Sequence, residues 1–323
     1  MASVKGRRVK LAGTGRYIPE KVMHNRDFEK FLDTSDEWIR ERTGITTRHF
    51  AAEDQKCSDL AYLAAVDVLN KTGIMPEELD MVIIGTNSPD SNMPAMACKV
   101  QGRIGAVNAG AFDLQAGCTG SLVAMQNAIA GIACGMWNKV LVIASERFED
   151  ILDWKDRGTC ILFGDGAGAC VLSAADEEES SGIISVKTIS EGLKHDYITT
   201  ENEGEHQSGF LRMKGRDVFK YVSNRLPVFI NTLCEESDLT PQDVNFWVFH
   251  QANTRIIDYV FEKAGLSSDR TFINIDKYGN TSAASMLIAL DEAYEEGKIK
   301  KGEKVALLAF GAGMTIGGLI YEA

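Results

Sequence analysis

Apolar positions along this chain fall into two rhythms. Met81-Val-Ile-Ile-Gly, Lys139-Val-Leu-Val-Ile-Ala, Phe246-Trp-Val-Phe and Lys304-Val-Ala-Leu-Leu-Ala are short, continuous, β-rich runs, the pattern of strands buried on both faces. Between such runs lie longer segments with helical spacing, 58–72 and 122–137. In the second of these Leu122, Met125, Ile129, Ile132 and Met136 recur every three or four residues, which keeps them on one face of a helix. Strands alternating with helices of this length predict crossover connections and an α/β fold.

The pattern is written twice. Pro76-Glu-Glu-Leu-Asp opens into the run at Met81, and Pro241-Gln-Asp-Val-Asn opens into the run at Phe246; the two prolines are 165 residues apart. Lys139 and Lys304 begin similar runs at the same offset. A fixed offset shared by separate matches is the mark of a duplicated unit. The expected organisation is two α/β halves, 1–175 and 176–323, joined at the acidic, turn-prone stretch Asp176-Glu-Glu-Glu-Ser-Ser, with the functional site between them.

Composition alters this picture little. The chain has 323 residues, 45% hydrophobic and 25% charged, an ordinary globular balance in a length that buries about three quarters of the unfolded surface. A formal charge of −12 argues against a nucleic-acid partner, which needs a basic surface. One segment runs against the average: Arg212, Lys214, Arg216, Lys220 and Arg225 face a single acid, Asp217. It reads either as a solvated helix face or as a landing site for an acidic partner. Residues 1–10 hold four basic residues with no apolar run after them, so no secretory signal is expected, and no stretch approaches the roughly 20 apolar residues of a membrane span. Seven cysteines without a C-x-x-C pair, and five histidines without ligand spacing, predict free thiols and no metal in a cytoplasmic protein.

Among those thiols Cys118 stands apart. In Phe112-Asp-Leu-Gln-Ala-Gly-Cys118-Thr-Gly-Ser a strand-like run meets glycine, then cysteine, and the helical pattern begins at once. That puts the sulfur at a helix N-terminus, where free N–H groups favour thiolate and lower a pKa from about 8.5. The other six cysteines lack this setting and read as small buried hydrophobes. His250 follows the apolar run Phe246-Trp-Val-Phe, at the strand end where α/β sites gather; it is either a satisfied core histidine or a partner for the thiol. Asn280, in Tyr278-Gly-Asn-Thr-Ser-Ala-Ala-Ser, is either a helix cap or an amide aimed at a developing oxyanion. His24, His49, His195 and His206 lie in polar or loop-like stretches. Of the glycine-rich stretches, Gly13-Thr-Gly15 and Gly164-Asp-Gly-Ala-Gly168 read as tight turns; Phe310-Gly-Ala-Gly-Met314 is placed to bring a backbone N–H near the site. None is followed by Lys-Ser/Thr, so none is a P-loop.

Taken together, A-G-C-T-G at Cys118, H-Q-A-N at His250 and Y-G-N-T-S-A-A-S at Asn280 resemble the catalytic triad of the β-ketoacyl-acyl-carrier-protein synthase III family. The resemblance runs the whole chain, through Gly13-Thr-Gly-Arg-Tyr-Ile-Pro19, Asp33-Thr-Ser-Asp-Glu-Trp-Ile39, Arg42-Thr-Gly-Ile45 and Asp156-Arg-Gly-Thr159. It implies a thiolase-like fold, two duplicated βαβαβ halves in an αβαβα layering, and an acyltransferase that initiates fatty acid synthesis. Cys118 would take an acyl group from acyl-CoA, and malonyl-acyl carrier protein would then condense with it, both being substrates and no cofactor being needed. His250 and Asn280 would hold the malonyl thioester, and the N–H groups of Cys118 and Ala312 would form an oxyanion hole. Trp38, Arg42 and Arg157 would bind CoA, Arg255 and Lys220 would dock the carrier protein, and Met93 would gate the acyl pocket of a neighbouring copy in a homodimer.

Departures from the family pattern bear on the acyl substrate. Met93 stands where Phe is frequent, Ser121 and Met314 replace common aromatics, Arg216 replaces a frequent Asn, and the loop 191–206 matches poorly. They keep a thiolase-like acyltransferase of secondary metabolism as the alternative. The order Cys, His, Asn also fits a papain-like hydrolase, but its signature C-G-[SA]-C-[WY] is absent. An inactive scaffold would be expected to have lost a triad residue, and none is lost.

Overall fold

The computed structural model describes residues 6–176, 182–200 and 209–323; most of the expected join, together with His206, lies outside them. Strand β1 (Val9–Tyr17) leads into a two-stranded ribbon, β2 (Lys21–His24) and β3 (Thr47–Phe50), which carries helices α1 (Asn25–Phe28) and α2 (Asp36–Thr43) between its strands. Then follow α3 (Cys57–Thr72), β4 (Met81–Gly85), α4 (Met96–Ile104), β5 (Gly110–Leu114), α5 (Gly120–Ala133), β6 (Lys139–Glu146) and β7 (Gly166–Ala174). The second half runs β8 (Gly182–Ser190), β9 (Ile198–Thr200), β10 (Leu211–Met213), α6 (Gly215–Glu235), β11 (Phe246–Phe249), α7 (Thr254–Ala264), α8 (Ile275–Tyr278), α9 (Ser285–Glu295), β12 (Lys304–Gly311) and β13 (Thr315–Glu322).

The duplication is visible strand by strand. The first sheet has the order β1-β7-β6-β4-β5 and the second β8-β13-β12-β11. In each, two neighbouring strands are parallel (β4 with β6, β11 with β12) and the return strand is antiparallel (β7, β13). The 165-residue offset holds from Met81 to Phe246, from Lys139 to Lys304 and from Gly120 to Ser285, the starts of β4 and β11, β6 and β12, α5 and α9.

Packing explains the layers. Helices α5 and α9 are apolar nearly all round and lie between the sheets, sharing one core with Ile83, Val142, Val248 and Leu307, as a helix buried on every side must. Helices α3 and α4 cover the outer face of the first sheet, and α6 and α7 that of the second. The result is the αβαβα layering implied by the resemblance. The buried carboxylates of α9 are paired: Asp291 accepts from Thr14 Oγ1 at 2.8 Å and meets Arg16 and Lys71, and Glu292 accepts from Asn274 Nδ2 at 2.8 Å and from the Tyr278 hydroxyl at 2.6 Å. An unpaired charge at this depth would cost several kcal/mol.

Two local expectations are corrected. Gly13 and Gly15 lie inside β1, and Gly166 and Gly168 inside β7; they are contact points for helices rather than tight turns. A Cβ on Gly15 would stand 2.5 Å from Val68 N of α3, and one on Gly168 would stand 2.6 Å from Leu287 Cβ of α9. The helix expected over 122–137 stops at Ala133, because Gly135 takes a φ of 86°, a left-handed value that suits glycine.

Candidate active site

Cys118 sits in one 3-10 turn, Gly117–Thr119, which runs directly into α5. Gly117 makes the turn with φ 57°, and a Cβ there would stand 2.8 Å from Ala312 N. From the other side, a Cβ on Gly311 would stand 2.6 Å from Cys118 N. The stretch Gly311–Gly313 therefore packs on the backbone of Cys118, and the amides of Cys118 and Ala312 are neighbours.

His250 is the first residue beyond β11. Its N–H donates to Leu308 O at 2.7 Å, its ring meets Phe310 edge-on with centroids 5.3 Å apart, and it is 1% exposed. Asn280 follows Gly279 (φ 66°) and is pinned by its backbone to Leu162 O at 2.8 Å and Gly164 N at 3.1 Å. Its Oδ1 accepts from Ser282 N at 2.8 Å. The cap and the site amide are thus one arrangement: the carbonyl side shapes the turn and leaves the Nδ2 amide for the cavity.

All three side chains line one cavity of about 880 Å³, together with Ala312, Phe163 and Phe310. Among the described residues no Asp, Glu, Lys or Arg lines it, and no group of His, Cys, Asp and Glu is arranged to hold a metal ion. What the cavity offers is a thiol, an imidazole, an amide and backbone N–H groups in a largely apolar wall. That set suits attack on a neutral carbonyl and stabilisation of an oxyanion.

The electrostatics differ from the sequence-based expectation. Burial pushes the Cys118 thiol up to about 12, aided by the Glu146 carboxylate and opposed by Ser282, whose Oγ donates to Sγ at 3.3 Å. The N-terminus of α5 also opposes the rise, but a helix end is worth at most about 2 kcal/mol, too little to reverse it. These influences shift the thiol toward its protonated form, with the side chain half-buried and facing the cavity. Burial also holds His250 neutral, with its pKa lowered to about 3.

The lowered imidazole has a consequence for stability. Between pH 6.5 and about 3 the unfolded chain binds a proton on this histidine that the folded chain refuses, so stability must fall as the pH drops through that window. Replacing His250 by Gln is expected to flatten the slope, measured as the difference in denaturation midpoint between variant and wild type across the window. An unchanged slope would mean that His250 is protonated in the folded protein.

Behind the cysteine lies a polar chain that sequence reading missed. Asn87 Nδ2 donates to Glu146 Oε1 at 2.6 Å, to Gly117 O at 3.2 Å and to Ser282 Oγ at 3.3 Å. Glu146 is fully buried and also accepts from Ser88 Oγ at 2.7 Å and Asn87 N at 3.0 Å. Burial raises its pKa. A lone carboxylate closing the apolar run 139–145 was the available signal. Ser282 holds a left-handed φ of 49°, where its counterpart 165 residues earlier is Gly117; such a conformation costs a non-glycine residue roughly 1–2 kcal/mol, offset here by its bonds to Asn280 and Cys118.

The remaining candidates lie outside the cavity wall. The guanidinium groups of Arg42 and Arg157 each lie 4.7 Å from the Trp38 ring, a stacked cluster where helical spacing alone suggested surface packing. This cluster abuts the site through Asn253, a cavity residue whose Nδ2 donates to Arg42 O at 3.0 Å. Lys220 and Arg255 are exposed, each next in sequence to a cavity residue, Phe219 and Ile256. In the basic segment Lys214 pairs with Asp196, Arg212 with Asp153 and Arg225 with Glu191. Met93 is 86% exposed and does not line the cavity of its own chain. Met314 belongs to the outer core of the second sheet, Ser121 is buried, and Arg216 is exposed.

Comparison with known proteins places this arrangement. Residues 112–192 match the family described as 3-oxoacyl-[acyl-carrier-protein (ACP)] synthase III, and residues 234–323 match its C-terminal part. A β-ketoacyl-[acyl-carrier-protein] synthase III of Xanthomonas campestris pv. campestris is 42% identical over 318 residues, covering 96% of this chain and 97% of that one. The crystal structure of 3-oxoacyl-[acyl-carrier-protein] synthase III from Aquifex aeolicus superposes with a TM-score of 0.93 at 40% identity, covering 98% of this chain and 100% of that one. A priming β-ketosynthase of a polyketide biosynthetic pathway reaches the same TM-score at 30% identity, covering 98% and 97%. Similarity of this strength over nearly the whole length means that the chain belongs to the β-ketoacyl-[acyl-carrier-protein] synthase III family, acyltransferases of thiolase-like fold.

Proposed function

We propose that this protein condenses an acyl-CoA starter with malonyl-acyl carrier protein through an acyl-Cys118 intermediate, the initiating step of fatty acid synthesis. The observation that carries the reading is the cavity in which Cys118, His250 and Asn280 meet with no charged side chain among the described residues of its wall. A covalent intermediate divides one difficult transfer into two. In the first, Sγ attacks the acyl thioester, and the amides of Cys118 and Ala312 receive the oxyanion. In the second, the malonyl group loses CO2, and its enolate attacks the acyl-Cys118 carbonyl while His250 and Asn280 face the charge on the malonyl thioester oxygen. Neutral donors suit this task, because a carboxylate there would repel the charge.

In the same reading Trp38, Arg42 and Arg157 bind CoA, the flat cluster serving the adenine and the cations its phosphates. Lys220 and Arg255 receive the acidic carrier protein. The protein works as a cytoplasmic homodimer of chains divided at 175/176, in which Met93 reaches the cavity of the second copy. Among the described residues no helix is long and apolar enough to cross a membrane.

Incubation with acyl-CoAs of graded length and branching, followed by malonyl-acyl carrier protein, tests the reaction by intact mass. An acyl adduct discharged into a 3-ketoacyl product is the expected result. An adduct that ignores malonyl-acyl carrier protein would favour the acyltransferase of secondary metabolism, and no adduct with any acyl-CoA would overturn the reading. The docking assignment has its own check. Arg255→Glu is expected to raise KM for malonyl-acyl carrier protein about ten-fold, as like charges at a contact do, and to leave KM for acyl-CoA unchanged. Equal effects on both substrates would count against it.

A further inference from the structure

We infer that Arg48 is a positioning residue that ties the backbone mount of Asn280 to α2, the helix carrying Trp38 and Arg42. Arg48 lies in β3, fully buried, and does not line the cavity. Burial lowers its pKa only to about 10, so the guanidinium is charged near neutral pH. Its acceptors are neutral: Nη1 donates to Asn25 Oδ1 at 2.7 Å and Nη2 to Ile161 O at 2.6 Å, while the Phe28 ring lies 4.6 Å away. A buried charge left without partners costs several kcal/mol. Here the partners stand on separate segments, and the planar fork of an arginine holds its acceptors at fixed angles. Satisfying this one side chain therefore fixes those segments against each other.

One arm of the fork holds the mount. Ile161 belongs to the same short segment as Leu162 and Gly164, whose backbones pair with Asn280. The arginine stem packs on that pairing as well. A Cβ on Gly164 would stand 3.0 Å from Arg48 Cβ, and one on Gly279 would stand 3.1 Å from it. Glycine at both positions leaves room for the stem.

The other arm reaches α2. Asn25 is buried, and its neighbours orient its amide: Oδ1 accepts from the cation, while Nδ2 donates to Asp36 Oδ1 at 2.8 Å and to Ile45 O at 2.7 Å. Asp36 begins α2, and Trp38 and Arg42 follow in the same helix. The bond from Asn25 helps to hold the Asp36 carboxyl below the usual carboxylate range. The relay thus joins a buried cation to a carboxylate through a single amide. Its meaning rests on the function proposed above. There α2 presents the cluster that receives CoA, and the mount holds the amide that faces the malonyl thioester. Arg48 keeps in register two surfaces that serve different half-reactions, and it touches neither substrate.

The test combines hydrogen exchange of the full-length protein, read by mass spectrometry, with single-turnover kinetics of the two half-reactions. Arg48→Met keeps an unbranched stem and cuts both arms; Asn25→Ala cuts only the arm to Asp36. In Arg48→Met, amide exchange is expected to rise both over residues 278–282 and in α2. Discharge of the acyl adduct by malonyl-acyl carrier protein should slow about ten-fold, part of the roughly 10²-fold that a 1 Å misplacement costs. KM for acyl-CoA should rise about three-fold, the equivalent of one weakened hydrogen bond, while adduct formation at saturating acyl-CoA stays near the wild-type rate. Asn25→Ala should raise only the exchange of α2 and KM for acyl-CoA. Unchanged exchange over 278–282 in Arg48→Met, or faster exchange there with wild-type discharge, overturns the inference. So does an equal loss of both half-reactions, the mark of a merely structural role. Should Arg48→Met not fold, Asn25→Ala decides: a raised KM with wild-type discharge upholds the relay, and an unchanged KM or a slower discharge overturns it. Absence of any adduct in wild type would sink the functional reading instead, while exchange still reports the tie.

Discussion

Cys118→Ser is expected to leave no acyl adduct after incubation with acyl-CoA and to lower turnover by about 10⁴-fold or more, as loss of a nucleophile does elsewhere. The reason lies in the balance of the site. Burial already pushes the thiol up to about 12, and the imidazole beside it is a weak base held near 3. A serine hydroxyl gives up its proton far less readily than a thiol, and among the described residues no carboxylate lines the cavity to strengthen the base. The substitution should leave the fold intact, because it replaces one small side chain in a turn fixed by Gly117 and by the packing of Gly311–Gly313. Intact mass and a thermal melt decide the matter together. An adduct that persists at the wild-type level would place the nucleophile elsewhere, although Cys57, Cys160, Cys170 and Cys234 are buried and the exposed Cys98 and Cys134 do not line the cavity.

Asn280→Asp should separate the two half-reactions. An aspartate retains the oxygen that accepts from Ser282 N at 2.8 Å, so the turn survives, but a carboxylate oxygen takes the place of the Nδ2 amide. Removing one donor to a developing oxyanion costs on the order of 10²–10³-fold, and a like charge in its place adds to that. The expected result is an acyl adduct that forms at the wild-type rate and is discharged by malonyl-acyl carrier protein at least about 10²-fold more slowly. Adduct formation that slows as much as discharge would mean that Asn280 shapes the cavity for both steps.

Much of the architecture could be read before any coordinates, and the reason is periodicity. The runs at Met81, Lys139, Phe246 and Lys304 are buried on both faces, so their apolar character is uninterrupted and their duplication survives as a fixed offset. Cys118, His250 and Asn280 were legible because each breaks an apolar or small-residue pattern at a strand end or a helix start. What stayed hidden depended on contacts distant in sequence. The glycines of β1 and β7 resemble turn glycines until the helices that press on them are in place. Ser282, Asn87 and Glu146 are ordinary polar residues whose meaning comes only from one another. The acidity of Cys118 has two opposed contributions: the helix end is a local feature legible in the sequence, whereas partial burial comes from Gly311–Gly313 in the other half of the chain.

That cover also fixes an order of events during synthesis. The nucleophile emerges with the first half, and the stretch that packs on it is made only as the second sheet nears completion. Until β12 and β13 pair, the sulfur stands in water with an ordinary acidity near 8.5, open to oxidants and alkylating agents. Closing the second sheet places the half-buried sulfur in the wall of the cavity, so that what reaches it must enter there. The nascent chain thus offers its nucleophile from every side, and the finished chain from the cavity alone.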